Sequence, residues 1–502
     1  MNNNTRIAHN TAWLYIRLVV VLLINLYTTR VVLDVLGVVD YGIYNVVGGF
    51  VALFAILNST LSQAIQRFYN YSKGEKATYS EQDVYNVAFR VQIILSLIIV
   101  VLLETIGLWY VNSVMVIPED RFIAGSIAFH FSVASLIFVV MQIPYSASVL
   151  SHEKMDFFAA VGIIDVVLRL IVILVVPYLI GDRLILYGAG MFCISIINFL
   201  LYYIYSKRNF SVLTLTSRHS SGLLKSILSF SWWSILDVFA YTVKVQGPTL
   251  LINSFFGPVV NAARGIAAQV MNAVQGFSAN SMLAFRPQLV ESCANGNVNR
   301  STSLMFSMSK ISFICFFALA TPVVIEINYI LSIWLGNNIP DYTVSFTILC
   351  LADMLICSLN APLSNVAQAV GEIKQYNIIR AIVIVAIVPI SWAILELGGD
   401  PNSVYWVSLF MVIINQPVSM VLLKRVFKYS YRDYLKRVIV PCLCYSIPVF
   451  VVAAIPHLLL QQSFLRLLLV CMVELSMSIF LLYFVILSNN EKQIILNLIK
   501  KH

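Results

Sequence analysis

Charge is scarce in this sequence. Its 502 residues hold 32 lysines and arginines and 23 aspartates and glutamates, 11% of the chain, where a soluble protein carries about 25%. That shortage excludes a soluble globular protein. Signatures of enzyme chemistry are missing as well. There is no G-x-x-x-x-G-K-[ST] loop to cradle nucleotide phosphates, and no H-E-x-x-H or clustered His and Cys to hold a metal. His9, His130, His152, His219, His457 and His502 are dispersed. The eight cysteines are scattered too, with only Cys442 and Cys444 close in sequence, which argues for buried, inert thiols over a metal knuckle or redox pair. No enzyme activity, metal or cofactor is expected. The opening MNNNTRIAHN runs straight into a long apolar stretch without a small-residue cleavage site, so no removable signal peptide is expected.

What the chain does have is apolar length. It is 60% hydrophobic with a mean hydropathy of +0.87. Runs of about 20 apolar residues recur throughout, each long enough to cross a hydrocarbon core of about 30 Å. Lipid offers the backbone no hydrogen-bond partners, so the spans must be helical. The pattern predicts an all-α polytopic membrane protein of about fourteen transmembrane helices, near 9–35, 42–68, 84–112, 122–149, 157–180, 184–206, 224–255, 259–289, 304–328, 342–367, 376–397, 403–423, 438–456 and 464–487.

Basic residues concentrate in alternate connections. With a cytoplasmic N-terminus these hold Lys73 and Lys76, then Lys154, then Lys207, Arg208, Arg218 and Lys225, then Arg300, Lys374 and the cluster from Lys424 to Arg437. The opposite connections hold chiefly Arg121 and Arg183 beside Glu119, Asp120, Asp182, Asp341 and Asp400. Given an even number of spans, this asymmetry places both termini in the cytoplasm. It also accounts for most of the net charge of +9 without nucleic acid as a partner.

The longest cytoplasmic connection, 207–223, follows the sixth span. The flanking halves are similar at an offset of about 220 residues: Trp13 falls on Trp233, Arg17 on Asp237, Gly37 on Gly257, Asn58-Ser59 on Asn280-Ser281 and Gly74 on Gly296. An even number of spans per half makes the repeat parallel, about an axis along the membrane normal. The expected organisation is an N-terminal six-helix lobe (1–206), a cytoplasmic linker (207–223), a C-terminal six-helix lobe (224–430), and two additional helices with a basic cytoplasmic tail (431–502).

Several motifs carry a resemblance. TTRVVLDVLGVVDYGIYNVVGGF (Thr28–Phe50), QAIQRFYNYSKGE (Gln63–Glu75), FFGPVVNAARGIAAQV (Phe255–Val270) and FRPQLVE (Phe285–Glu291) resemble the polysaccharide-repeat-unit flippases of the O-antigen and capsule type. The turn Leu36-Gly37 followed by Asp40-Tyr41-Gly42 is the most specific of them. That family belongs to a superfamily with the MATE drug exporters and the peptidoglycan-precursor flippases, and the resemblance covers roughly residues 10–425. It implies two pseudo-symmetric six-helix lobes around a central cavity in a bacterial inner membrane. The implied activity is alternating-access transfer of a polyprenyl-diphosphate-linked oligosaccharide. Implied partners are that substrate, membrane lipids, and polymerases or glycosyltransferases of glycan assembly. Composition and spacing alone give only a secondary transporter with a parallel repeat.

Charged residues inside spans are the functional candidates, because a central arginine costs roughly 2.5–3.5 kcal/mol to insert. Arg17 leads, on a face of the first span shared with Asn10, Trp13 and Thr28. Asp237, Tyr241, Lys244 and Pro248 form one stripe of the seventh span, and Pro248 is expected to kink it. Two readings stand side by side. Arg17 and Asp237 pair across the lobes as structural glue, or Arg17 and Lys244 line a cationic cavity whose charge Asp237 adjusts. A diphosphate cargo would need such cations to replace its lost hydration.

Gln269, Asn272, Gln275 and Asn280 of the eighth span, with Asn45, Ser59, Gln63 and Gln66 of the second, could hydrogen-bond sugars or glue helices together. Arg67 and Arg286 lie near span ends, where snorkelling to head groups is the default; Arg264, near an extracytoplasmic end, ranks above them. Asp165 and Arg169 form a neutralising i, i+4 pair of structural character. Glu104, Asp353 and Glu474 have no partner legible in the sequence, and any could take a coupling proton or sodium ion. The energy source stays open among an ion gradient, the membrane potential and the cargo gradient. Rival functions are a MATE-like cation-coupled exporter of small molecules, disfavoured by a cationic cavity, and a non-transporting scramblase or scaffold for glycan enzymes.

Overall fold

The computed structural model describes residues 3–54, 56–72, 79–210, 214–216, 221–283, 285–336, 339–370, 374–482 and 484. Among these the chain is helical with no strand, and eleven helices are long and apolar enough to cross a membrane. The protein is a multi-pass membrane protein. The helix Asn3–Phe54 is interrupted at Gly37 (φ 79°, ψ 170°), and Ser221–Leu283 at Gly257 (φ 80°, ψ −175°). Each thus contains two helical arms, an arrangement compatible with the fourteen predicted crossings. Only glycine tolerates that region of backbone space without strain. The expected correspondence of Gly37 with Gly257 is therefore a correspondence of backbone conformation. Pro248 lies inside the helical arm that precedes Gly257, with helical dihedrals of its own.

The chain forms two compact units, 1–265 with 388–404, and 266–387 with 405–502. The first unit extends past the 207–223 linker because the arms flanking Gly257 pack on the first repeat. A Cβ on Gly42 would overlap the Pro258 carbonyl oxygen, and one on Gly265 would lie 2.6 Å from Asn45 Nδ2. Asn261 Nδ2 donates to the Gly42 carbonyl at 3.2 Å, and Asn253 Oδ1 accepts from the Val116 amide at 3.0 Å. The lobe boundaries drawn from the sequence concern the repeat, and are distinct from these packing units.

Connections of alternate parity gather at separate ends of the first unit. At one end Arg121 is bidentate to Asp40 (Nε–Oδ1 2.7 Å, Nη2–Oδ2 2.5 Å) and also binds Asp182 (Nη1–Oδ2 2.5 Å). At the other, Gln82 donates to Thr214 Oγ1 at 2.9 Å, Asn86 to Thr216 Oγ1 at 2.8 Å, and His152 Nε2 lies 3.5 Å from Glu81. That separation is what successive membrane crossings require. Two apolar clusters fill the interior. One holds Ile43, Val46, Val47 and Phe50 against Phe129 and Leu136; the other holds Ile65 and Tyr69 against Tyr85 and Tyr145. Tyr85 and Tyr145 share a buried hydroxyl hydrogen bond of 2.9 Å. Lipid tails are as apolar as leucine, so such packing and interhelical hydrogen bonds, rather than expulsion from water, hold the spans together.

In the second unit, Phe306, Phe313, Leu359 and Leu363 pack with Tyr434, Val438, Tyr445 and Val449 of the predicted additional helices. A buried ion pair ties the same parts. Glu326 is fully buried and accepts from Arg466 Nη2 at 2.5 Å and meets His457 Nδ1 at 3.0 Å. The intramembrane acids acquire partners: Ser408 donates to Asp353 at 2.8 Å, Ser478 to Glu474 at 2.5 Å, and His130 lies 3.0 Å from Glu104. The cysteines are all free; Cys350 and Cys442 are buried, Cys293, Cys315, Cys357 and Cys471 half-buried, and Cys193 and Cys444 exposed, so the expectation of buried thiols holds fully only at the first two.

Candidate functional site

Arg17 is half-buried against the helix Met155–Val175. Its guanidinium carbon sits 4.4 Å from the centroid of the Phe158 ring. Beneath it lies Gly162, where an added Cβ would run into the guanidinium, 3.1 Å from Cζ. The sequence thus builds a seat from an aromatic face, which attracts the cation, and a glycine one turn further that lets the flat group approach the backbone. Arg17 Nε is buried there without a hydrogen-bond partner among the described residues. A buried N–H donor left unpaired costs about 1–3 kcal/mol.

On the same helix, seven residues beyond Gly162, is Arg169, two turns or about 10 Å further along one face. Arg169 Nε donates to Asp165 Oδ2 at 2.8 Å and Nη2 to Oδ1 at 3.2 Å. Asn198 Nδ2 donates to the same Oδ1 at 2.7 Å. The pair borders a cavity of about 400 Å³ inside the first unit, walled by Tyr44, Gly48, Ser132, Ser135, Ser195 and Asn198. The expected i, i+4 pairing of Asp165 with Arg169 is present, and it faces a polar cavity. The signal in the sequence was periodic: Ser132 and Ser135, Asp165 and Arg169, and Ser195 and Asn198 are each spaced three or four apart.

The other sequence-predicted residues have surroundings of their own. Lys244 is buried in the arm before Gly257, and Tyr241, one turn earlier, is exposed. Arg264 is buried, with Nη2 donating to the Val245 carbonyl at 2.8 Å, so it braces the backbone beside Lys244 across the Gly257 break. Gln269 is half-buried and Asn272 exposed, both in the second unit. Arg67 is exposed, its guanidinium 5.1 Å from the Tyr71 ring with Nε donating to the Tyr71 hydroxyl at 3.1 Å. The side chains of Asp237 and Arg286 lie outside the described residues, as do those of Asn10, Asn58, Ser59, Gln63, Asn280 and Ser281, and Gly74.

A scan of protein-family models finds no match, nor does a search of the curated proteins. Solved structures do match. The chain is similar to the lipid II flippase MurJ in an inward closed conformation, with a TM-score of 0.70 and 12% identity over 94% of this chain and 98% of that one. The chain has the MurJ and MATE fold. An inward-facing multidrug resistance MATE transporter of the MOP superfamily gives a TM-score of 0.62 at 14% identity, covering 80% of this chain and 95% of that one. A MOP superfamily transporter from Pyrococcus furiosus, described as having a binding pocket of reverse polarity, gives 0.59 at 15% identity over 84% and 96%. These MurJ- and MATE-like neighbours are flippases and transporters, not enzymes.

Proposed function

We propose that this protein is a flippase that moves a polyprenyl-diphosphate-linked oligosaccharide, an O-antigen, capsule or exopolysaccharide repeat unit, to the outer leaflet of a bacterial inner membrane. The observation that carries the reading is Arg17: a half-buried guanidinium held inside a span by the Phe158 ring on one side and the Gly162 backbone on the other. A diphosphate entering a low-dielectric site loses its hydration, and a preplaced guanidinium compensates through charge-assisted hydrogen bonds. The cation–aromatic seat fixes the side chain before the anion arrives, so little rotamer freedom is lost on binding. Lys244 adds a second positive charge in the repeat-related seventh span, which also carries Asp237 and Tyr241, and Arg264 follows across the Gly257 break. Gln269, Asn272, Arg67 and Arg286 would meet sugars or head groups.

Fold likeness to MurJ supports a lipid-linked cargo, and a cationic seat disfavours the cationic drugs of a MATE-like exporter. Transport would draw on a proton or sodium gradient, or on the membrane potential. The test is to remove the protein from its host and identify what accumulates. A lipid-diphosphate-linked glycan trapped on the cytoplasmic face supports the reading. Unchanged glycan distribution, with accumulation of a small cationic compound instead, overturns it.

A further inference from the structure

We propose that the cavity inside the first unit is a binding site for a neutral, hydroxyl-rich group, one glycosyl residue of the cargo. The identity of the cargo rests on the flippase reading; the chemistry of the cavity does not. Its volume of about 400 Å³ lies in the small-molecule range, and its wall mixes Val51, Leu136, Val139 and Met191 with several hydrogen-bonding side chains, the combination of apolar surface and placed polar groups that small-molecule sites use.

The hydrogen-bonding inventory selects the ligand. Ser132, Ser135 and Ser195 each donate their hydroxyl proton to a carbonyl of their own helix, to Ala128 at 2.9 Å, Phe131 at 2.8 Å and Phe192 at 2.7 Å. What remains on each is an acceptor. Asn198 Oδ1 is a buried acceptor without a partner among the described residues. Arg169 spends Nε and Nη2 on Asp165, and Nη1 makes no hydrogen bond among the described residues. Tyr44 and Gln142, also in the wall, add a hydroxyl and a carboxamide that each donate and accept, so a ligand must supply several donors to the oxygens and acceptors to Nη1 and these two groups. Hydroxyl groups do both. An anion brings no proton for the serines and Asn198. A metal cation would suit the oxygens, but both oxygens of Asp165 are already bonded and Arg169 repels it. The ion pair is neutral as a unit, so a neutral polyol gains hydrogen bonds while an ion gains only the small difference between opposed fields.

Position agrees with this. The cavity's Arg169 lies two turns along the helix from Gly162, beneath Arg17. A glycan whose diphosphate sits at Arg17 would direct a sugar into the same unit.

The cavity also offers a clean way to fill it. A Cβ on Gly48 would meet nothing within 4 Å, so Gly48 faces open space, unlike Gly42. The experiment uses the purified full-length protein and measures thermal shift and calorimetric titration with methyl glucoside, methyl galactoside and N-acetylglucosamine, and with glucuronate and sodium chloride for comparison. At least one neutral sugar is expected to bind saturably. Gly48→Leu should weaken that binding at least about tenfold by filling the site, and Ser135→Ala or Asn198→Ala by about three- to tenfold, the worth of one hydrogen bond. Should Gly48→Leu fail to fold, Gly48→Ala with Ser135→Ala serves the same purpose.

Failure of every neutral sugar to bind, or binding indifferent to these variants, overturns the proposal. So does sodium binding that Asp165→Asn abolishes, which would make the cavity a cation site. Sugar binding in a protein that moves no lipid-linked glycan would sink the flippase reading and leave the cavity standing; glycan transfer without sugar binding would do the reverse.

Discussion

Replacing Gly42 by alanine puts a methyl group where the chain after Gly257 already lies. The added Cβ would stand 2.6 Å from the Pro258 carbonyl carbon and overlap its oxygen, where carbon atoms rest at about 3.5–4.0 Å. Pro258 is backbone immediately after the interrupted position, so no side chain can swing away. The two segments must part by roughly 1 Å, and overpacking of that kind costs about 1–3 kcal/mol. Separation also stretches the 3.2 Å hydrogen bond from Asn261 to the Gly42 carbonyl, worth about 0.5–1.5 kcal/mol. Alanine returns up to about 1 kcal/mol in helix propensity. A net loss of about 1–3 kcal/mol follows.

Gly48→Ala is the internal control, six residues along the same arm, with the same propensity gain and nothing within 4 Å of the new methyl. Thermal unfolding of the two purified variants in one detergent compares them directly. Gly42→Ala should unfold several degrees below wild type and Gly48→Ala at or above it. Equal stability of the two would refute the close approach of Gly42 to Pro258, and with it the account of why the first unit takes in the Gly257 arms.

Further expectations concern the turns and ion pairs. Gly37→Ala and Gly257→Ala should each lose about 1–3 kcal/mol from backbone strain alone, read as a lowered unfolding midpoint, since the Gly37 Cβ would meet nothing. Arg466→Met strands the fully buried Glu326 with only His457, which should cost about 3–5 kcal/mol; restoring most of that midpoint with Glu326→Gln on the same background would check that the stranded charge is the cause. Arg121 holds the Asp182 carboxyl below its ordinary range through their hydrogen bond. A depressed carboxyl stabilises the fold fully above its ordinary value, about 4, and loses that contribution as pH falls through the lowered folded value. The midpoint gap between wild type and Asp182→Asn should be constant from neutral pH down to about pH 5 and shrink below about pH 4.

Some of this architecture was legible in the chain because it rests on local rules. Gly37 and Gly257 could be matched from sequence since each marks a turn whose backbone only glycine adopts, and each is followed by residues of similar kind. The separation of alternate connections was legible from lysine and arginine placement. Asp40 was visible as part of the Asp40-Tyr41-Gly42 turn, but its partner Arg121 is 81 residues away, and no local pattern names such a partner. The cavity was hidden for a related reason. Ser132, Ser135, Ser195 and Asn198 look like ordinary small polar residues until their two helices meet those of Gly48 and Asp165 around one space. Pro248 stays within helical dihedrals, while Gly257 nine residues on has the freedom to leave the helical region altogether. Arg17 stood out as a charge inside a span, yet its seat on Phe158 and Gly162 required the fifth span to be in place.

The most direct test of the central claim is a leaflet-transfer assay with reconstituted protein and a polyprenyl-diphosphate-linked oligosaccharide, comparing wild type, Arg17→Lys and Arg17→Ala at equal protein density. Loss of about 2–4 kcal/mol of anion stabilisation should slow Arg17→Ala by roughly thirtyfold or more, with Arg17→Lys retaining part of the rate because the charge remains and the planar fork does not. Arg17→Ala transferring the glycan at the wild-type rate would contradict the claim that this guanidinium receives the diphosphate.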